Sequence, residues 1–230
     1  ERNPQYRERY YEAEPAAADA EAQAILARLQ GRRLPMVDEV QVSVIEETQP
    51  LWLSFLNALV LGRREEEALA ACPRSQFGAA DSRTVQKLFA RDGKGLFVLP
   101  SDWHPDMPVM LVDWHAASAF ARWTAERTGR PWRLPNELER EKAARGVDER
   151  LLPWGNHPDA TFACVAESHT GELARAPISA YPHDESPYRV RGLAGNVRDT
   201  CINVWKREGP EIVGGRLRLD PADPGDPSNR

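Results

Sequence analysis

An α+β fold is expected for this 230-residue chain from three observations: apolar stripes at helical spacing, a short alternating valine run, and a hairpin signal between two apolar runs. Pro15 stands in the first turn, and Gly31 just past the end, of a predicted helix over residues 15–30. Ala18, Ala22, Ile25, Leu26 and Leu29 form its one apolar stripe. The stripe is alanine-rich and follows a charged stretch from Tyr6 to Glu14, so residues 1–33 read as a helical linker or the end of a preceding module. Val40, Val42 and Val44 alternate with Gln41 and Ser43 as a half-buried strand does. Thr48 is placed to cap a helix with Leu51, Trp52, Phe55, Leu56 and Leu59 on one side.

Residues 62–85 are charged and irregular, an insertion with a short helix around Glu65 to Ala71. Asp92-Gly93, between Leu88-Phe89 and Leu96-Phe97-Val98-Leu99, predicts a hairpin. Pro108 to Trp114 reads as a short apolar strand. A helix follows, with Ala116, Ala119, Phe120 and Trp123 facing inward and Gly129 ending it. Trp132-Arg133-Leu134-Pro135 gives a strand-like entry into another helix. Asn136 can cap that helix, and Glu139 can reach back to the cap amide. Gly146 stands where a helix needs a left-handed exit. Pro153-Trp154-Gly155 is a turn that drives one large ring inward, so Trp132 and Trp154 are expected to be structural anchors. Asp220 to Pro227 is a proline- and aspartate-rich loop.

The formal net charge of −5 and a pI near 5.6 give no overall electrostatic footprint for nucleic acid. No apolar run approaches the ~18 to 20 residues that span a bilayer, and no leader is visible at Glu1. Cys72, Cys164 and Cys201 are widely spaced, form no CxxC pair and fit thiols in a reducing compartment, which points to a cytoplasm. His104, His115, His157, His169 and His183 show no helical ligand spacing. Glu137, Glu139 and Glu141 diverge around their helix, so paired acid-base work is not expected. Glu139 as a cap and Glu141 in an ion pair are the plain readings.

Two blocks carry a resemblance. The first is Trp132-Arg133-Leu134-Pro135-Asn136-Glu137-Leu138-Glu139, with Ala143-Ala144-Arg145-Gly146 and Pro153-Trp154-Gly155. The second is Ser186-Pro187-Tyr188, then Arg191-Gly192-Leu193-Ala194-Gly195-Asn196-Val197-Arg198-Asp199. In order and spacing they resemble the signature of the formylglycine-generating enzyme family, also called sulfatase-modifying-factor domains. Glu46 to Trp52 with Phe55 is similar to its early strand-helix unit. The resemblance spans about residues 34–230, and it implies a C-type-lectin-like architecture: two helices on a twisted antiparallel sheet, with long loops. The family's last strands follow a motif that would begin near Arg230, so residues 34–230 are expected to form the domain without its C-terminal strands.

What the resemblance implies about chemistry is uneven along the chain. The family holds copper(I) between two nearby cysteines, where soft thiolates suit a soft ion. None of the three cysteines has that spacing, so copper is implied only for a part of the protein carrying such a pair. Related iron enzymes use an HxxxHxE helix that nothing here matches. The resemblance implies calcium on the Gly195 and Val197 carbonyls and the Asp199 carboxylate. Gly192 stands where the family has a leading Asp, and Ala163-Cys164 lacks the Asn of a second calcium loop. Asn196 reads as a turn residue that binds backbone groups, and Cys201 as part of a strand near the core. Arg140 and Thr200 stand where relatives have Trp, a loss of aromatic burial at ~25 cal/mol per Å² that implies remodelled packing.

Three functions follow from the resemblance. The first is a non-catalytic module binding a protein or small ligand through its loop surface, including the variable proteins of diversity-generating retroelements. The second is a copper/oxygen-dependent oxidase converting a sulfatase cysteine to formylglycine. The third is an accessory sensor domain of a bacterial Ser/Thr kinase, since "RREEEAL" from Arg63 and "GLAGNVRD" from Gly192 are similar to domains behind such kinases.

Overall fold

The computed structural model describes residues 48–75, 86–169, 175–203, 209, 211–214 and 216–217. The helix expected over 15–30, the valine strand at 40–44 and the loop at 220–227 lie outside the described residues.

Helix α1 spans Gln49–Leu61 with Pro50 in its first turn, which its missing N–H and preset φ suit. Thr48 occupies the cap position in extended backbone. It caps only through its carbonyl, which accepts the Trp52 N–H, and its side chain makes no cap bond. Trp52, Phe55, Leu56 and Leu59 are buried, whereas Leu51 lies outside the stripe and is 39% exposed. Helix α2, Glu65–Ala71, carries three glutamates in its first turn, where negative charge meets the positive end of the helix dipole. It falls where the short helix around Glu65 to Ala71 is expected, and strand β1, Arg74–Ser75, follows it.

β1 pairs antiparallel with β2, Gln86–Lys87, and β3, Ala90–Arg91, pairs with β4, Phe97–Val98. The β3–β4 hairpin turns more widely than the Asp92-Gly93 signal implies. Its positive φ falls at Gly95, and the Asp92 carboxylate accepts the N–H groups of Lys94 and Leu96. An aspartate that ties down a five-residue loop replaces the two-residue turn. The Asn57 side chain of α1 then grips the hairpin on both sides: its amide donates to the Phe97 carbonyl at 3.0 Å and its oxygen accepts the Phe97 N–H at 2.8 Å.

Residues 108–113 form no strand, only an isolated bridge between Pro108 and Thr48. Trp114 is instead the first residue of helix α3, Trp114–Thr128. Its Asp113 cap accepts the Ala116 N–H at 2.8 Å and also pairs with Arg74 of β1. A carboxylate in the cap position stabilises a helix start by about 1 kcal/mol. Gly129 ends α3 at φ 68°, the left-handed exit glycine supplies. α1, α2, α3 and the hairpin enclose the core. Trp52 stacks on Phe120 at 4.9 Å, Phe55 meets Phe120 and Trp123 at 5.6 Å, and the Trp52 indole donates to the Ala71 carbonyl at 3.1 Å. Cys72 is sealed in this cluster with Phe89 and Phe97.

After α3 regular structure is sparse. Helix α4, Glu137–Arg145, is followed by a 3-10 turn at Ala166–Ser168. Gly146 leaves α4 at φ 69° and ψ −139°. It occupies a glycine region, but not the left-handed helical one expected. Cys201 lies in half-buried backbone outside any strand. A last hairpin, β5 (Ile212–Val213) with β6 (Arg216–Leu217), turns through Gly214 at φ 61° and belongs to a second compact unit. Among the described residues no helix is long and apolar enough to cross a membrane.

Candidate functional site

Helix α4 organises the loop-rich part of the molecule. The Asn136 side chain accepts the Glu139 N–H and the Glu139 carboxylate accepts the Asn136 N–H, both at 2.9 Å, closing a reciprocal capping box. Glu139 is 7% exposed and also takes a two-pronged bond from Arg133 at 2.6 and 2.7 Å. That guanidinium holds the Glu139 carboxyl below the usual range against the opposing effect of burial. Glu137 is tied to Asn203 in both directions at 2.9 Å, and burial pushes its carboxyl upward. Glu141 pairs with Arg145. The sequence shows the cap, but nothing in it marks the arginine that makes the cap bidentate.

The second signature block folds into a tight turn held against the segment before the 3-10 turn. The Asn196 N–H donates to the Cys164 carbonyl at 2.8 Å, and the Asn196 side chain both donates to and accepts from the Ala176 backbone at 3.0 Å. Asn196 does this at φ 65°, a left-handed conformation that asparagine tolerates better than most residues. Gly195 lies so close that a Cβ there would stand 2.8 Å from the Cys164 carbonyl carbon and closer still to its oxygen. The Gly195 carbonyl accepts the Val197 N–H at 2.9 Å. Asp184, buried at 2% exposure, accepts the Ala194 N–H at 3.1 Å, and burial raises its carboxyl above the ordinary value.

Asp199, the one carboxylate of the expected calcium set, is engaged by Arg140 of α4 at 2.8 Å. The same guanidinium donates to the Leu193 carbonyl at 2.7 Å. A protein cation thus stands on one oxygen of the carboxylate that calcium would need, and with a single carboxylate already neutralised by Arg140 the set of Gly195, Val197 and Asp199 is a poor fit for a divalent ion. Among the described residues no three His, Cys, Asp or Glu side chains converge as a metal-binding group. The cysteines fit copper no better. Cys72 is sealed in the core with its thiol pushed up by burial, and Cys201 is pushed up to about 11 by burial and the Asp199 charge. Thiols held protonated are poor ligands for a soft cation. Cys164 stands instead beside His169, at 3.3 Å from Sγ to Nε2, a pairing the sequence reading missed.

The two tryptophans expected to anchor the fold are half-buried. The Trp132 indole N–H is buried without an acceptor among the described residues. Trp154 sits in a turn in which Leu152 and Gly155 exchange backbone bonds at 2.9 and 3.0 Å. Its indole donates to the His157 carbonyl at 2.9 Å, and its ring meets Phe162 edge-on at 5.6 Å.

These loops, clamped by side chains around one capped helix, are what the signature blocks build. The family described as sulfatase-modifying factor enzyme 1-like domain matches residues 26–221, and the chain belongs to it. The chain is 31% identical over 132 residues to a formylglycine-generating enzyme of Thermomonospora curvata, covering 52% of this chain and 41% of that protein. It is 35% identical over 106 residues to the serine/threonine-protein kinase pkn1 of Chlamydia caviae, covering 46% and 15%. It is 36% identical over 101 residues to a hercynine oxygenase of Mycolicibacterium thermoresistibile, covering 42% and 21%. The chain therefore spans less than half the length of these relatives.

Proposed function

We propose that this domain is a binding module that recognises a protein or small ligand through its loop face and performs no redox chemistry with its described residues. The observation that carries the reading is Arg140. It supplies within the protein the positive charge that a metal-organised loop would take from an ion, joining α4 to Asp199 and the Leu193 carbonyl. Loops fixed this way, with Asn196 and Asp184 holding the turn from beneath, form a pre-organised surface, which lowers the ordering penalty of binding. Two of the three thiols favour the same reading, since burial pushes both Cys72 and Cys201 up.

The test incubates the full chain with copper(I), oxygen and a Cys-x-Pro-x-Arg peptide and follows the peptide by mass spectrometry. An unchanged peptide mass is expected; conversion of the cysteine to the aldehyde overturns the reading. That second reading, an oxidase making formylglycine, is favoured by the Thermomonospora curvata relative and would need thiols other than those described here. The kinase relative favours an accessory role beside a kinase catalytic segment, and a kinase segment in the same gene would support it. Calcium enters none of these readings as an organising ion.

A further inference from the structure

Cys164 and His169 lie five residues apart and are brought together by the 3-10 turn at Ala166–Ser168. Three features hold the pair. The Ser168 hydroxyl donates to the Ala160 carbonyl at 2.5 Å, engages the Ala163 carbonyl, and accepts the Val165 N–H at 3.0 Å. The Asn196 N–H fixes the Cys164 carbonyl, with Gly195 packed against the Cys164 backbone. The Tyr181 ring meets His169 edge-on at 6.5 Å. Sγ and Nε2 are thereby held 3.3 Å apart, with both residues partly open to solvent. When His169 carries its proton on Nδ1, Nε2 accepts from the thiol and can take its proton. Among the described residues no histidine stands beside Cys72 or Cys201, and Cys72 is 2% exposed.

We propose that Cys164 is a nucleophilic thiol activated by His169, a modification site for soft carbon electrophiles. In the step, the Cys164 sulfur forms a bond to the electrophilic carbon, the leaving group departs with its electron pair, and the thiol proton passes to His169 Nε2. With iodoacetamide the products are the thioether and iodide. The AGN turn then has a second role: it presents a reactive group at the edge of the loop face.

The test treats the full native chain with substoichiometric iodoacetamide and quantifies each cysteine by peptide mass spectrometry. Cys164 is expected to label at least about tenfold faster than Cys72 or Cys201. The variants His169→Gln and His169→Ala are expected to slow Cys164 labelling about tenfold, while Cys164→Ser removes the fast label and keeps the far-ultraviolet spectrum. Comparable labelling of all three cysteines, or an unchanged Cys164 rate in a folded His169 variant, overturns the proposal. The ordering of the three thiols in the native chain stands as a test even if the alanine variant fails to fold.

Discussion

Replacing Gly195 by alanine puts a methyl carbon 2.8 Å from the Cys164 carbonyl carbon and 3.1 Å from its nitrogen. The atoms in the way are backbone, so no side chain can swing aside. Either the turn at 194–197 or the segment at 163–165 must retreat. Overpacking of this kind costs about 1 to 3 kcal/mol. The retreat also strains the bond from the Asn196 N–H to Cys164 and the paired bonds to Ala176, at about 1 kcal/mol each. The expected total is about 4 to 6 kcal/mol, against about 5 to 15 for a whole domain. For a chain of this size that is a fall of about 8 to 24 °C in melting temperature. Thermal melts followed by circular dichroism measure it, with Gly93→Ala as the control, because a Cβ at Gly93 meets nothing within 4 Å. A Gly195→Ala protein melting within about two degrees of the parent would show that the turn is loosely seated, and the loop face would lose its claim to be pre-organised.

Three further outcomes follow from the same contacts. Arg140→Ala should cost about 1 to 2 kcal/mol through lost bonds to Asp199 and Leu193, and millimolar calcium should leave the parent's melting temperature unchanged; calorimetry showing micromolar calcium affinity that Asp199→Ala abolishes would refute this. Glu139 has a lowered folded pKa, so its stabilising contribution is present above the ordinary carboxylate range and is lost as pH falls through the folded value. The stability gap between parent and Glu139→Gln, on the order of 1 kcal/mol because Arg133 is half exposed, should therefore shrink in denaturant melts below pH about 4. Trp154→Ala should cost about 2 to 3 kcal/mol of stability, read as a lower melting temperature, less than the ~3 to 5 kcal/mol of a fully buried aromatic. A variant that melts like the parent and loses only binding would move the ring to the recognition surface.

How far the sequence could be read depends on what holds each segment. α3 and α4 are legible because their signals are local: inward residues at helical spacing and Gly129 past the end of α3, and Asn136 with Glu139 at the start of α4 and Gly146 past its end. The hairpin is visible in its apolar runs, but Asp92 reaching to Lys94 and Leu96 widens a turn that a dipeptide signal assigns to two residues. The strand expected over 108–114 does not form: 109–113 is irregular backbone with Leu111 at φ 60°, which an extended strand does not accommodate, and only Trp114, past the Asp113 cap, is helical. In the site, Asn196 and Asp199 could be singled out by their place in the signature, and Arg140 by its departure from it. Their joint meaning could not, since Arg140 and Asp199 are 59 positions apart and only the fold sets them 2.8 Å apart. Cys164 and His169 escaped for the opposite reason: they are near in sequence but match no standard ligand spacing, and a 3-10 turn brings them face to face.

Asn57 and Asn196 each exchange a donor and an acceptor with the backbone of a remote residue, Phe97 and Ala176 respectively. Each amide does for one residue what a neighbouring strand does for a row of them. Protection of backbone hydrogens against exchange with deuterated water should therefore not track helix and strand content in this molecule. The Ala176 hydrogen lies in irregular backbone, yet it is released only when a side chain twenty positions away lets go. A change of Asn196 to serine would leave the spectroscopic helix signal intact and open that one amide, so slow exchange, not ellipticity, is the property by which the order of these loops is measured.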